Sequence, residues 1–295
     1  MKLSEIKKQM ASIQADKSMF KDFETVWEKR KCMRQIIEQK FKKFTGRIWI
    51  FGDLHLPYML RDLIFNKLLP NIIKSQAKRK MIILPGDTFT FDLFSWFRKG
   101  EGRTAKPSEE IREGKKLFQT LNKIANYVLM LKTNHEVRLE KFLADKIQGN
   151  EEIEETKVFL KSFQELFAEI PSLQVVDDWL VQIGDIIVPH GGPGSRAVRG
   201  RTGTWGIDFF LGAGKHLVRK EWRVLFQPHS HLLSSIPYRD KRSVEVGCLC
   251  KPLDYQFKGS KSYSFGKYGD WQRGYGVCNM VDGKVDINSA MYMEL

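Results

Sequence analysis

The chain has 295 residues, about twice the ~150 residues of a common domain. Hydrophobic residues make up 42% of the chain and aromatic residues 12%, which is enough for a large core and excludes global disorder. The 49 Lys and Arg residues exceed the 35 Asp and Glu residues, so the formal net charge is +14. A charge of this size predicts a polyanionic partner, and nucleic acid is the first candidate.

The sequence shows no sign of membrane insertion or export. No apolar run reaches the ~20 residues that a membrane span needs, and the opening MKLSEIKKQM lacks the apolar core of a secretory signal. We therefore expect a cytoplasmic protein that does not engage membranes. The cysteines form no CxxC motif, so we expect reduced, buried thiols at Cys32, Cys248, Cys250 and Cys278.

The first part of the chain is predicted to be a basic helical extension at 1–46, followed by the main domain at 47–295. Apolar residues recur in 1–44 at mostly helical spacings, and Lys and Arg outnumber acidic residues there by twelve to six. Two interpretations stay open. The extension packs against the main domain, or it is a basic arm that contacts a phosphate backbone.

The main domain begins with alternating strands and helices and continues with strands. The first elements are predicted at 47–51 (strand), 60–77 (helix), 80–84 (strand), 108–125 (helix), 127–131 (strand) and 136–169 (helix). Further strands are predicted at 173–176, 179–183, 186–188, 224–226 and 243–246, with two more around 275–292. This order predicts an α/β domain with a mixed sheet or two stacked sheets, and with helices outside.

Residues 191–214 are rich in glycine and contain three arginines, Arg196, Arg199 and Arg201. Their composition predicts a long loop, and loops of this length are usually functional. The arginines are candidates for binding the backbone of a substrate beside the active centre. A solvated loop surface without a binding role is the alternative.

Polar residues of the kinds that bind metals follow the apolar strands. They are Asp53, His55, Asp87, Asn134, His135, His190, His229 and His231. The carboxyl ends of strands are where sites assemble in α/β proteins, and carboxylate, imidazole and amide ligands suit Mn²⁺, Fe or Zn²⁺. Without His135, seven ligands remain, enough for two ions that share a carboxylate. Such a pair clamps a phosphoryl group and holds a hydroxide for in-line attack.

Five short motifs occur in a fixed order between residues 52 and 231. They are Gly52-Asp53-Leu54-His55, Gly86-Asp87, Asn134-His135-Glu136, His190-Gly191 and His229-Ser230-His231. As an ordered set they resemble the calcineurin-like metallophosphoesterase family. The resemblance implies a layered α/β/β/α sandwich with a metal-dependent phosphoric ester hydrolase centre in 47–295. Segments 134–139 and 245–249 are also similar to phage-encoded members, which would place the protein in the host cytoplasm.

The resemblance also implies a role for each residue of these motifs. It implies that Asp53, His55 and His231 hold one metal and that Asn134, His190 and His229 hold the other. Asp87 would bridge the two metals. It implies that His135 is the general acid for the leaving alkoxide or a stabiliser of the charged phosphate. Arg138 is a candidate phosphate contact. We expect two Mn²⁺ ions, with Fe, Zn²⁺ and Mg²⁺ as alternatives.

The chain departs from the family pattern at several positions near these motifs. Thr133 and Pro228 stand where the family usually has glycine before Asn-His and before His-x-His. The Ser/Thr protein phosphatases that share this core carry Asp-Arg-Gly three residues after the bridging aspartate. This chain has Thr90-Phe91-Asp92 there, which disfavours a protein phosphatase.

These patterns predict an enzyme that cleaves phosphodiester bonds in nucleic acid, with DNA ahead of RNA, as a nuclease or phosphodiesterase. One alternative is a phosphomonoesterase that acts on proteins or nucleotides with the same metals. Another is a nucleic-acid-binding protein that has lost its activity, which the complete set of seven ligands disfavours.

Overall fold

The computed structural model describes residues 34–94, 105–138, 165–191, 201–251 and 271–295. Within these ranges two β-sheets pack face to face, and helices cover the outer face of each sheet. The predicted α/β/β/α sandwich is therefore confirmed. No helix in these ranges is both long enough and apolar enough to cross a membrane.

The described residues form twelve strands. In chain order they are β1 (Gly46–Ile50), β2 (Lys80–Leu84), β3 (Tyr127–Leu131), β4 (Leu173–Val176), β5 (Leu180–Ile183), β6 (Ile186–Pro189), β7 (Val224–Gln227), β8 (Leu233–Tyr238), β9 (Lys241–Val246), β10 (Gly274–Val281), β11 (Lys284–Val285) and β12 (Met291–Glu294). The first sheet has the order β11-β10-β1-β2-β3-β4, and β12 also pairs with β10. The second sheet has the order β5-β6-β7-β9-β8.

Parallel pairing is concentrated where the candidate ligands follow the strands. In the first sheet β1, β2, β3 and β4 are parallel, and β10 is antiparallel to β1. In the second sheet β6, β7 and β9 are parallel. Each sheet therefore presents several carboxyl ends at one edge, which is where a site can form.

Besides three short 3-10 helices and the start of a helix at 137–138, four helices are described. They are α1 at 34–40, α2 at Arg61–Leu63, Ile64–Leu68 and Leu69–Lys74, α3 at Pro107–Ile124 and α4 at Arg201–Leu211. The middle segment of α2 has π-helical hydrogen bonding. Pro107 at the start of α3 suits a first turn, because proline has no N–H to leave unpaired there.

The core follows from the alternation of side chains along the strands. In β1, Ile48 and Ile50 lie between the two sheets, whereas Trp49 and the following Phe51 face the helices of the first sheet. The second sheet packs its outer face on α4, where Phe210 is buried. The strands are apolar on both faces because both faces are covered.

One predicted region is wrong. Residues 201–211 of the predicted 191–214 loop form α4. Glycine at position 206 allows α4 to pack closely on β7, because a Cβ there would lie 2.7 Å from the Leu225 side chain. The sequence also missed β8, whose polar residues and Pro237 obscure the alternation of a strand.

Some predictions can be compared with the structure only in part. Of the predicted extension, 1–33 lies outside the described residues, and 34–40 is helical as expected. Most of the predicted helix at 136–169 also lies outside them. The thiols of Cys248, Cys250 and Cys278 are free and buried, as predicted.

Candidate metal centre

Strands of both sheets end at the candidate site. Asp53 comes after β1, Asp87 after β2 and His135 after β3, while His190 and His229 come after β6 and β7. The first three strands are parallel neighbours, and so are the last two. The residues that the motifs place at strand ends therefore converge where the two sheets meet.

The Oδ2 atom of Asp87 lies at the centre of this site. The Nε2 atom of His190 is 3.2 Å from it, and the Nε2 atoms of His135 and His55 are 3.7 and 3.8 Å away. The Nδ1 atom of His229 is 3.9 Å away. One buried carboxylate oxygen thus faces four imidazoles, which is the environment expected of a bridging ligand.

Asp53 forms a second focus. It is fully buried, its Oδ1 atom lies 3.2 Å from Nε2 of His231, and its Oδ2 atom accepts the N–H of His229 at 3.1 Å. Burial favours the neutral acid, but the charge and hydrogen bond of His231 and the charge of His190 together outweigh it and lower the pKa of Asp53 to about 2. Three overlapping groups have ligand atoms within 4.8 Å of one another: Asp53, Asp87, His190 and His229; Asp53, His55 and His231; and His55, Asp87 and His135.

The backbone is strained at these same residues. Five of the seven candidate ligands have positive φ: Asp53 (50°), His55 (45°), Asp87 (48°), His229 (73°) and His231 (58°). This region is unfavourable for residues with a Cβ and costs on the order of 1–3 kcal/mol each. Such conformations persist where the surrounding structure enforces them, and they concentrate at functional sites. The backbone strain therefore occurs at five of the residues that the motifs identify as ligands.

The electrostatics of the centre follow from burial and the arrangement of opposite charges. Burial disfavours charge on Asp87, but the neighbouring His190 and His135 hold the pKa of Asp87 well below its usual range. Burial alone would lower the pKa of His190, yet Asp87 raises it to about 9. Burial and then His135 lower the pKa of His55 to about 3. Burial and the neighbouring charges thus shift the pKa values of two imidazoles of one centre in opposite directions, upward for His190 and downward for His55.

The donor set fits divalent cations. Asp53 and Asp87 are two buried carboxyl groups, close enough for the charge of Asp87 to raise the pKa of Asp53. A divalent cation beside them would neutralise both carboxylates, and it could take lone pairs from the Nε2 atoms of His55 and His190, which face Oδ2 of Asp87. Mixed carboxylate and imidazole ligands suit Mn²⁺, Fe and Zn²⁺.

His135 is held from outside the cluster. Its Nδ1 atom lies 2.9 Å from the carbonyl oxygen of Thr90, and a carbonyl only accepts, so Nδ1 carries the proton. The Nε2 atom accepts from Nη2 of Arg138 at 3.1 Å. Nη1 of Arg138 donates to Thr90 O at 2.9 Å and to Oδ1 of Asp92 at 2.8 Å. The carboxylate of Asp92 therefore pairs with Arg138.

Two buried glutamates hold the loop at residues 88–91. Oε1 of Glu136 accepts the N–H groups of residues 88 and 89 at 2.7 and 3.1 Å. Oε2 of Glu110 accepts the N–H groups of residues 90 and 91, both at 2.8 Å. The sequence analysis assigned a role to neither residue. The signal for Glu110 was present, because it lies on the buried face of α3 with Leu117 and Leu121.

Thr133 has a role of its own in place of the usual glycine. Its hydroxyl accepts the N–H of Asp87 at 3.1 Å and lies 2.7 Å from Oε2 of Glu136 and 3.1 Å from Oδ1 of Asp87. Gly86 makes room for this side chain: its φ is +119°, and a Cβ there would collide with Thr133.

The remaining predicted site residues are Asn134 and the three arginines. Asn134 lies in the turn after β3 with an exposed side chain, and it stays a predicted ligand. Arg201 begins α4, with its guanidinium 4.6 Å from the ring centre of Trp205, and its substrate contact stays a prediction. Arg196 and Arg199 lie outside the described residues.

A sequence model of the calcineurin-like phosphoesterase family matches residues 46–246. The match covers more than half of the chain and includes every candidate ligand. The protein therefore belongs to the calcineurin-like phosphoesterase family. A search of curated proteins found no match.

Several solved structures are similar in fold. Wild-type Vps29 from Entamoeba histolytica, complexed with Zn²⁺, has a TM-score of 0.40 and 11% identity, and the match covers 84% of this chain and 98% of that one. An archaeal phosphodiesterase has a TM-score of 0.36 and 16% identity, with 84% and 99% covered. A hypothetical protein from Pyrococcus horikoshii has a TM-score of 0.44 and 11% identity, with 84% and 87% covered. At these levels the similarity concerns the fold and bears on no substrate.

The buried Glu110 makes the stability of the protein depend on pH. Burial raises the pKa of Glu110 from 4.5 to about 8, and Asp92 adds to the rise, while the two N–H groups of the loop and Arg138 oppose it. The unfolded chain releases this proton near pH 4.5 and the folded chain near pH 8. Between these values the folded state binds the extra proton, so its stability falls as pH rises.

We predict that Glu110→Gln becomes increasingly stabilising, relative to the wild type, between pH 5.5 and pH 8.5. Glutamine keeps an acceptor oxygen but never carries the buried charge. The free-energy cost of that charge has an upper limit of about 5 kcal/mol, at 1.36 kcal/mol per pKa unit. Thermal unfolding at both pH values measures the effect as a gap in Tm. Glu109→Gln, at the neighbouring and less buried position in the first turn of the same helix, is the control. A gap for E110Q that stays the same at both pH values would contradict the assignment.

Proposed function

We propose that the protein is a two-metal phosphoesterase that hydrolyses phosphodiester bonds in nucleic acid, with DNA as the expected polymer. The observation that carries the proposal is the position of Asp87 Oδ2 among four imidazole nitrogens at 3.2, 3.7, 3.8 and 3.9 Å. One carboxylate surrounded in this way suits a bridge between two cations. Membership of the phosphoesterase family supports a phosphate ester as the substrate.

The chain offers ligands for two ions on either side of this bridge. Asp53, His55 and His231 would hold one ion, and Asn134, His190 and His229 the other. Mn²⁺ is the metal we expect. When bound, two such ions supply positive charge for the phosphate oxygens and activate the attacking water.

His135 and Arg138 form the polar edge beside the ligands. The carbonyl of Thr90 keeps a proton on Nδ1 of His135, so Nε2 can pass a proton to the leaving oxygen only from the doubly protonated ring. The neutral ring instead accepts from Arg138 and orients the guanidinium. We assign proton transfer to His135 and contact with a nonbridging phosphate oxygen to Arg138.

The charge of the chain supports a polymeric substrate. A formal net charge of +14 favours binding to a phosphate backbone without regard to base sequence. The protein-phosphatase alternative loses support, because the sequence has no Asp-Arg-Gly after Asp87, and Asp92 pairs with Arg138 at 2.8 Å. Phosphodiester bonds in DNA are therefore the substrate class that agrees best with both observations.

The proposal predicts Mn²⁺-dependent cleavage of a chromogenic phosphodiester by metal-stripped protein to which Mn²⁺ is restored. Asp87→Asn should abolish turnover, because the shared ligand is lost. His135→Ala should lower kcat by about 10²–10⁴-fold, the usual contribution of acid–base catalysis. His216→Ala, at an exposed histidine outside the cluster, is the control and should match the wild type. Turnover of a chromogenic phosphomonoester alone would contradict the proposal.

A second prediction concerns the polymer. Labelled single-stranded and double-stranded DNA should bind His135→Ala as tightly as wild type, because this variant keeps every lysine and arginine side chain. The affinity should fall at least ~10-fold between 50 and 200 mM salt, since each phosphate contact releases a counterion. Fluorescence anisotropy measures both properties. Binding that does not respond to salt, or no binding at 50 mM, would sink the nucleic-acid part of the proposal.

A further inference from the structure

Glu110 and Glu136 together accept the backbone N–H groups of the loop at residues 88–91. Glu136 belongs to the turn that carries His135, and it accepts the first two N–H groups of the loop. Glu110 comes from α3, and it accepts the next two at 2.8 Å each. Carboxyl oxygens thus take the place of backbone acceptors for four consecutive donors, and buried donors of this kind need a partner.

Residues 90 and 91, which Glu110 holds, are also the part of the loop that contacts His135 and Arg138. The carbonyl of Thr90 is 2.9 Å from Nδ1 of His135 and 2.9 Å from Nη1 of Arg138. This carbonyl and the N–H of Phe91 belong to one peptide group, which is planar and rigid. Glu110 therefore holds the N–H of this peptide group, while the carbonyl of the same group orients the side chains of His135 and Arg138.

The backbone at this plane needs an external hold. Phe91 has a φ of 44°, a conformation that is unfavourable for a residue with a bulky side chain. The Phe91 ring stacks on Phe89 at 5.2 Å between centroids, which anchors the side chain but leaves the peptide to its hydrogen bonds. Without the Glu110 oxygen, the N–H groups of residues 90 and 91 would lose the acceptor that fixes this conformation.

We propose that Glu110 is a positioning residue for phosphoester cleavage. It fixes the peptide between Thr90 and Phe91, and that peptide sets the ring of His135 and the guanidinium of Arg138 beside the metal ligands. The inference rests on the proposed function. Glu110 acts through the loop, since its hydrogen bonds go to residues 90 and 91 and to no candidate metal ligand.

A purely structural role makes a different prediction. Glu110 is fully buried, so its loss lowers stability in either case. If stability were its whole contribution, the folded fraction of a variant would turn over substrate normally. If Glu110 also positions His135, the folded variant has a lower kcat and a different His135 ring environment.

The first measurement compares two replacements of Glu110 in the full chain. Glu110→Met keeps the volume without an acceptor, and it should lower kcat on a chromogenic phosphodiester about 10²-fold, as expected for a displacement of ~1 Å. KM should change little. Glu110→Gln keeps an acceptor oxygen and should restore kcat to within about 3-fold of the wild type, a small fraction of that loss.

Glu38 supplies a matched control. It is a buried glutamate on α1 that accepts the backbone N–H of Gln182 at 2.8 Å, and it has no part in the centre. Glu38→Met should lower stability and leave kcat unchanged. An equal loss of kcat in E38M and E110M would overturn the proposal, because it would show that destabilisation alone slows turnover.

The second measurement does not depend on activity. In metal-free protein with ¹⁵N-labelled histidine, the His135 ring, assigned by its absence in His135→Ala, should show the proton on Nδ1. Glu110→Gln should keep that signal, and Glu110→Met should lose or shift it. If E110M does not fold, Glu110→Asp replaces it, since the shorter side chain withdraws the carboxylate, and the same change is expected.

The outcomes separate the two proposals. No diester turnover by the wild type would refute the proposed function, and the ring spectra would still test Glu110. Unchanged His135 spectra and unchanged kcat in a folded E110M or E110D would overturn the positioning role. A lower kcat and altered spectra, both restored by E110Q, would establish it.

Discussion

The burial of the Asp87 carboxylate where the two sheets meet is the constraint on which the rest of the site depends. A buried carboxylate is costly unless opposite charge or hydrogen bonds surround it. Here His190 lies 3.2 Å from Oδ2, and three further imidazoles lie within 3.9 Å. These partners come from strands of both sheets, so the charge can be compensated only when the sandwich is assembled.

The loops around this carboxylate are held by side chains instead of regular secondary structure. Asp87 has a φ of 48°, its N–H bonds to the Thr133 hydroxyl, and the next four N–H groups bond to Glu136 and Glu110. Strain of this kind persists because the surroundings enforce it. The same hydrogen bonds also position His135 and Arg138. They therefore determine both the rigidity of the loop and the orientation of these two side chains.

The sequence predicted the layered fold and the convergence of the ligands, because strand periodicity and ordered motifs are local signals. It did not predict the role of Glu110. The partners of this residue are about twenty positions away in the sequence, and its carboxyl group lies on the apolar face of α3. It also misread 201–211 as a loop, since glycines that allow close packing, such as Gly206 against Leu225, look the same in a sequence as glycines of a turn. Both features depend on contacts between distant segments.

The most direct test of the account is anomalous X-ray diffraction from crystals of the protein grown with Mn²⁺. The account predicts two anomalous peaks ~3.5–4 Å apart, the spacing of two-metal sites, with a carboxylate oxygen of Asp87 between them. His190 and His229 should lie on one side, and His55 and His231 on the other. A single peak, or peaks away from Asp87, would contradict the central claim that this buried cluster is a two-metal phosphoesterase centre.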